Sequence, residues 1–429
     1  MNYHTALEYI HSQNKFGIKL GLENITLLLN SLGDPQNKLK FIHIAGTNGK
    51  GSTATMLSYA LSSCGQKTGL FISPYVICFN ERIQINNQYI PNDRLAEITA
   101  KIKEQIDINT KIGITPPTEF ELVTTIAIQY FFEEQVEIVV WEVGMGGRLD
   151  ATNIIRTNEA SIITSISYDH KEHLGDSLEM IAYEKSCIIK ENRPCILMQQ
   201  SDTIMDVIKM KAQSLHSDIY IASVDDFKLL DSSYSGQKIV YKNRYMIDLP
   251  LAGSYQLKNL SCVIKVMETL SSFGMSLDID QAVSGIKKTT FPGRFEILNS
   301  TPLIILDAAH NEEGICVLNE NLNTFFPDKE IALFVGKLKD KDFSASFAAL
   351  LANKQHIYTL TPHSERAMTS IELSDYIKNM YDISTTHIDI DHVLDFINME
   401  QKDTVYVFAG SIYLISSVRN ILLNRIRKK

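Results

Sequence analysis

Seven residues, Gly46-Thr47-Asn48-Gly49-Lys50-Gly51-Ser52, have the types and spacing of a phosphate-binding loop. Glycines let successive backbone N–H groups converge on an anion, and a helix that starts there adds partial positive charge. Lys50 supplies a full charge for the outer phosphates of ATP, and Ser52 or Thr53 a hydroxyl for Mg2+. The common phosphate loop puts the hydroxyl residue directly after the lysine. Here Gly51 intervenes, so the pattern is a variant. The competing reading is a glycine-rich turn with no ligand; the apolar run before the loop and the helical pattern after it favour phosphate.

Three further places could complete such a site. The apolar run Val136–Trp141 ends in Glu142, with Gly144, Gly146 and Gly147 just beyond. A carboxylate at a strand end is either solvated or, beside a phosphate loop, a holder of Mg2+. Asp150 is a second carboxylate nearby. Asp169, His170 and His173 follow the run Ala160–Ile166. Lone histidines are mostly structural, but ligands of open α/β sheets gather beyond the carboxyl ends of strands. Lys185 lies in a helical pattern that Ser177 can cap and that runs to Lys190, sharing a face with Leu178, Ile181, Ile188 and Ile189. Desolvation would pull its pKa down and make the amine reactive. The pattern alone favours the plainer reading, a lysine that snorkels to solvent.

These residues need a scaffold, and the chain supplies one by alternating short apolar runs with helical patterns. Phe41–Ala45 and Thr68–Ile72 read as strands, Gly51–Cys64 between them as a helix stopped at Gly65. Thr118 and Glu121 have capping-box spacing ahead of a helix to Phe132. Val136–Trp141 and Ala160–Ile166 read as buried strands, and the rhythm indicates an α/β domain with a mostly parallel sheet. Ile219–Ala222, Lys238–Tyr241 and Tyr245–Leu249 read as a small, partly antiparallel sheet, followed by a helix at about Tyr255–Phe273. Pro292 and Gly293 break regular structure. After them, strands are expected at Leu303–Leu306, Ile331–Val335, His356–Leu360, His387–Ile390 and Val405–Phe408. The expected organisation is two α/β domains. Residues 1–293 form an N-terminal P-loop ATPase-like domain with the small antiparallel region. Residues 294–429 form a C-terminal Rossmann-like, doubly wound domain.

Composition sets bounds. The chain has 429 residues, 45% hydrophobic and 21% charged, enough to bury sizeable cores. Its formal charge of −9 argues against a general nucleic-acid binder. Six cysteines without a C-x-x-C pair read as reduced, mostly core residues, not as a disulfide framework or zinc site. The N-terminal residues have no signal-peptide core, and no uncharged apolar run is long enough to span a bilayer. A cytoplasmic enzyme without membrane contact is expected. The basic tail Arg425–Lys429 reads as a solvated helix end.

Together these segments resemble the folylpolyglutamate synthases, a branch of the Mur ligase family. The resemblance runs through KLGLENITLLLNSLGDP, HIAGTNGKGS, LFISPYVICFNERI, EVGMGGRLDATN, DHKEHLGDSLEMIAYEKSCIIK, FPGRFEI, LDAAHNEEG and GKLKDKD, in that order over nearly the whole chain. It implies that ATP phosphorylates a folate carboxylate and that the amine of L-glutamate displaces the phosphate. Dihydropteroate is a possible second acceptor. By the same resemblance, Ser52 and Glu142 would hold one Mg2+, and Ser73, His170 and Glu142 a second. Lys185 matches the lysine that this family carbamylates, and Lys50, His170 and Lys185 are the implied catalytic set. Asn259, Arg294, Asp307 and His310 match positions that meet the nucleotide, and a monomer is implied. Tyr75, Tyr255, Ala308 and Glu312 depart from the family's usual residues; Tyr75 and its neighbours bear on substrate preference. Other readings are a cell-wall type amino-acid ligase of the same architecture, which EVGMGGRLDATN and LDAAHN oppose, and a nucleotide switch, whose N-K-x-D motif is missing.

Overall fold

The computed structural model describes residues 1–17, 21–340, 344–352, 354–398 and 403–426. Parts of two quoted segments, Lys19–Leu20 and Lys341–Asp342, and the end of the basic tail therefore lie outside the described residues. The chain forms two compact units. The first comprises Met1–Lys228, Val240–Ile247 and Gln256–Thr289; the second comprises Leu229–Ile239, Asp248–Tyr255 and Thr290–Lys429.

The first unit is built on an eight-stranded sheet. Its strands are β1 (Phe41–Ala45), β2 (Thr68–Phe71), β3 (Ile83–Ile85), β4 (Gln88–Tyr89), β5 (Ile138–Glu142), β6 (Ala160–Ile163), β7 (Cys195–Met198) and β8 (Ile219–Ala222). They lie in the order β4-β3-β2-β5-β1-β6-β7-β8. β3 and β4 pair antiparallel at one edge; the other pairings are parallel. Parallel strands covered on both faces bury every residue, and β1, β2, β5, β6 and β7 are buried along their whole length. One face packs Phe41, Phe71 and Trp141 among helical Leu122, Ile126 and Phe131; the other packs Ile163, Leu197, Ile181 and Ile208. Helix Glu119–Glu133 starts with the expected capping box, Thr118 and Glu121 bonding reciprocally.

Two expectations need correction here. Ile219–Ala222 does not belong to the small sheet but extends the large one, parallel to β7. The small sheet instead takes β9 (Phe227–Ser233), whose run of polar residues hid it, with β10 (Gly236–Tyr241) and β11 (Tyr245–Leu249) in the order β11-β10-β9. Neighbours joined by such short turns run antiparallel. The helix carrying Lys185 spans Leu178–Ser186 and stops short of Lys190. The bond from Ile188 N–H to Glu184 O that would continue it is replaced: Arg148 N–H takes Glu184 O at 3.0 Å, and Ile188 N–H turns to Lys185 O at 3.4 Å.

The second unit has a six-stranded sheet, β12 (Glu296–Ser300), β13 (Leu303–Leu306), β14 (Glu330–Val335), β15 (His356–Thr359), β16 (Thr386–His387) and β17 (Thr404–Ala409). Their order is β12-β13-β17-β14-β15-β16. Only the edge pair β12–β13 is antiparallel; the rest is the expected doubly wound parallel arrangement. Phe334 stacks between Phe408 and Tyr358 at 4.4 and 4.6 Å. All six cysteines are free, as expected, but only Cys195 and Cys262 are buried and Cys316 is exposed. No helix among the described residues is long and apolar enough to cross a membrane.

Candidate active site

β1 sits between β5 and β6, where the chain's strand order turns from one side of the sheet to the other. Such switch points open a crevice at the carboxyl ends of the strands. The register places Ile44 beside Glu142 of β5, and Ala45 beside Ile163 of β6. Whatever follows these three strands therefore meets at one edge.

Gly46–Gly49 leaves β1 there and feeds the helix Lys50–Ser63. Gly49 has φ 84°, and a Cβ on it would stand 2.3 Å from Asn259 Oδ1, so only glycine fits this turn. The loop is braced by the segment after β6. Thr47 N donates to Ser165 O at 2.7 Å, Thr47 Oγ1 donates to Ser167 O at 3.0 Å, and Thr164 Oγ1 donates to Asn48 O at 2.8 Å. A second brace comes from the helix Tyr255–Ser272: Asn259 Nδ2 donates to Gln256 Oε1 at 2.9 Å, and Gln256 Nε2 reaches Ser52 Oγ at 3.4 Å. Neither Gln256 nor the Thr164–Ser167 brace was singled out in the sequence. The small polar run directly after an apolar strand was a usable sign of the second; Gln256 carried none.

Two amines converge on one carbonyl. Lys50 Nζ donates to Gly46 O at 3.2 Å and to Thr47 O at 3.1 Å; Lys185 Nζ donates to the same Gly46 O at 2.8 Å. Lys185 is 4% exposed, so the snorkelling reading fails: the amine points inward and is held on Gly46 O. Burial pulls its pKa down to about 7, with the Lys50 charge adding to the fall and Asp169 and Asp150 opposing it. A neutral amine in reach of the phosphate loop is therefore accessible near pH 7.

Glu142 is buried, and its Oε2 accepts the N–H of Ser73 at 3.1 Å, joining two residues assigned to metal binding. His170 and His173 are exposed. His170 adopts φ 51°, an uncommon backbone region for a non-glycine residue, with its N–H bonded to Asp169 Oδ1 at 3.0 Å. Asp150 is not a candidate metal ligand. Its carboxylate is occupied by Met145 N–H, Thr152 N–H and the Thr152 hydroxyl.

Among the described residues no group of three or more His, Cys, Asp or Glu forms a ready metal cage. Magnesium takes hard oxygen donors and is bound through one or two carboxylates plus substrate phosphates. Ser52, Ser73 and Glu142 are such a donor set, beside a loop whose amides and Lys50 suit the phosphates.

Beyond Ser73, the rings of Tyr75 and Phe79 meet edge-on at 5.9 Å. The Arg82 guanidinium lies over both, 5.9 and 5.6 Å from their centroids, and pairs with Glu119 at 3.7 Å.

The second unit holds the remaining assigned residues together. Asp307, directly after β13, is buried; its Oδ2 accepts Phe295 N–H at 2.9 Å and its Oδ1 accepts Ala309 N–H at 2.7 Å. Burial raises its pKa, and the charge of Arg294 with these backbone bonds works against the rise. His310 Nδ1 is 2.8 Å from Ala308 O, and Asn311 caps the helix Glu312–Phe325.

The chain matches two family models: the Mur ligase middle domain over residues 44–267 and the Mur ligase glutamate ligase domain over residues 293–412. It is 33% identical to the dihydrofolate synthase/folylpolyglutamate synthase of Bacillus subtilis, covering 98% of this chain and 99% of that one. Among solved structures, folylpolyglutamate synthase of Thermotoga maritima matches with TM-score 0.84 at 30% identity, covering 99% of this chain and 97% of that one. The Mycobacterium tuberculosis folylpolyglutamate synthase complexed with ADP and AMPPCP matches with TM-score 0.87 at 27% identity, covering 98% and 99%.

Proposed function

Because the chain belongs to the folylpolyglutamate and dihydrofolate synthase branch of the Mur ligases, we propose that it joins L-glutamate to a folate carboxylate at the expense of ATP. The observation that carries this reading is the meeting of Lys50 and Lys185 on Gly46 O, beside buried Glu142.

The reaction has two stages. A folate carboxylate oxygen attacks the γ-phosphorus, the bond to ADP breaks, and an acyl phosphate forms. The neutral amine of glutamate then attacks the acyl carbon, and phosphate leaves from the tetrahedral intermediate with the amide formed. Both stages depend on positioning and on stabilising oxygen charge. The loop amides from Gly46 to Ser52 would orient the triphosphate, and Lys50 would meet charge on its outer oxygens. Magnesium, when bound, neutralises phosphate and acyl-phosphate charge. Ser52 and Glu142 would hold one ion, Ser73, His170 and Glu142 another, and a carbamate on Lys185 would add the negative charge that supports the second. Asn259, Arg294, Asp307 and His310 are assigned to the nucleotide, and Tyr75 with Phe79 and Arg82 to the acceptor's aromatic end. The assignment uses residues 1–293 as the ATP-binding domain and 294–429 as the ligase domain, in a cytoplasmic monomer acting on small molecules and neither nucleic acid nor membrane.

Phosphate release from purified protein with Mg·ATP and glutamate tests the proposal, comparing tetrahydrofolate with dihydropteroate as acceptor. Release with tetrahydrofolate is expected; release with dihydropteroate as well would make the enzyme bifunctional. Silence with both would defeat the assignment. Lys185→Ala should be nearly inactive while still binding an ATP analogue by calorimetry.

A further inference from the structure

A buried polar chain in the first unit has no part in the reaction as described. His43 stands in the middle of β1 and is fully buried among Phe41, Ile42, Ile44 and Ala45. Its Nε2 is 2.9 Å from Thr152 Oγ1. That hydroxyl donates its hydrogen to Asp150 Oδ1 at 2.5 Å, so it accepts from the ring, and Nε2 is the protonated nitrogen. Nδ1 is buried, with no hydrogen-bond partner among the described residues. A histidine with one bare nitrogen is a poorer core residue than the leucine that could fill the same space. What it adds is orientation of the Thr152 hydroxyl.

Asp150 transmits that orientation. Its Oδ1 also accepts Thr152 N–H at 2.9 Å, and its Oδ2 accepts Met145 N–H at 2.8 Å, which closes the turn after Glu142. The turn lies directly on the seat of Lys185. Gly147 has no room for a Cβ, which would stand 2.6 Å from Glu184 O and 3.1 Å from Lys185 Cα. Arg148 N donates to Glu184 O at 3.0 Å, and its Nε pairs with Glu184 Oε1 at 2.9 Å. The strand that launches the phosphate loop is thus tied, through three side chains and a turn, to the backbone that presents Lys185.

We propose that His43 and Thr152 are positioning residues for the carbamylation of Lys185, acting through Asp150 and the turn Gly144–Arg148. The inference rests on the carbamate named above. In that step the Lys185 lone pair attacks the carbon of CO2, a C–N bond forms, and one C–O π pair becomes a carboxylate lone pair. The amine proton is released to solvent. The attack needs the amine held at one height, and the turn sets that height.

The test uses the full chain, freed of CO2 and titrated with isotope-labelled bicarbonate while the carbamate carbon is followed by NMR and turnover is measured in parallel. Thr152→Val keeps the volume and removes the hydroxyl. It should need about tenfold more bicarbonate for half-labelling, the scale of one lost hydrogen bond, and lose kcat at fixed bicarbonate with KM for ATP unchanged. Thr152→Ser should restore both. His43→Leu should reproduce Thr152→Val, and supplies the answer where the valine variant does not fold. Wild-type labelling in Thr152→Val, or equal loss in the serine and valine variants, would overturn the inference alone. A wild-type protein with no carbamate signal would overturn the carbamate reading and this inference with it.

Discussion

At the scale of single residues, the site is governed by a charge that the fold makes costly. Lys185 titrates at about 7 in the folded chain against an ordinary 10.5. Below pH 7 both folded and unfolded chains hold the proton, and the fold bears the full cost of the buried cation. Between these values the unfolded chain binds the extra proton, so this group makes stability climb with pH. Lys185→Met should remove that climb. The difference in unfolding free energy, wild type minus variant, should rise from pH 7 to 10 in bicarbonate-free urea titrations. A flat difference would mean that the amine is solvated. Tyr75 offers a separate check on the acceptor. Tyr75→His, toward the family's usual residue, should change KM for the acceptor severalfold and leave KM for ATP in place. Lys50, Glu142 and Ser52 could be nominated from the sequence because residue type and local spacing suffice to single them out. The burial of Lys185 was not legible, because the groups that enclose it come from elsewhere in the chain: Gly46 O accepts its amine, and the turn at Gly147–Arg148 packs on Glu184 and Lys185.

At the scale of elements, the phosphate loop is a joint of three pieces: the end of β1, the segment Thr164–Ser167 and the helix Tyr255–Ser272. Gly49 is where they are tightest. Gly49→Ala combines a left-handed backbone, costing about 1–2 kcal/mol, with a Cβ pressed on Asn259. It should weaken ATP-analogue binding by tenfold or more in calorimetry while circular dichroism stays native. Normal affinity would show that Asn259 moves aside freely. The strands flanking the loop were readable as apolar runs, since a doubly covered parallel sheet leaves no alternation to confuse them. β9 was not, because Lys228, Asp231, Ser232 and Ser233 hide a strand that is solvated along much of its length. Ile219–Ala222 was recognised as a strand but given the wrong sheet: a short apolar run does not record which neighbour it will pair with.

At the scale of the molecule, each unit has its own hydrophobic centre, with Phe71, Phe131 and Trp141 in one and Ile305, Leu333, Phe347 and Val407 in the other. Chains of this kind need not unfold in one step. Leu333→Ala, in a fully buried position of β14, should cost the second unit about 2–5 kcal/mol. Scanning calorimetry should show one transition lowered and another retained; a single shifted peak would mean that the units melt together. The α/β class was visible from the alternation of strands and helices. The division between the units falls after Lys228, Ile239, Ile247, Tyr255 and Thr289. Three of those points lie inside β9, β10 and β11, so they share out one small sheet. Each large sheet, by contrast, comes from one continuous run of chain: β1–β8 are complete by Ala222, and β12–β17 all lie from Glu296 onward. A chain written in that order suits synthesis on the ribosome, where the first centre can close before the last strand of the second has been made.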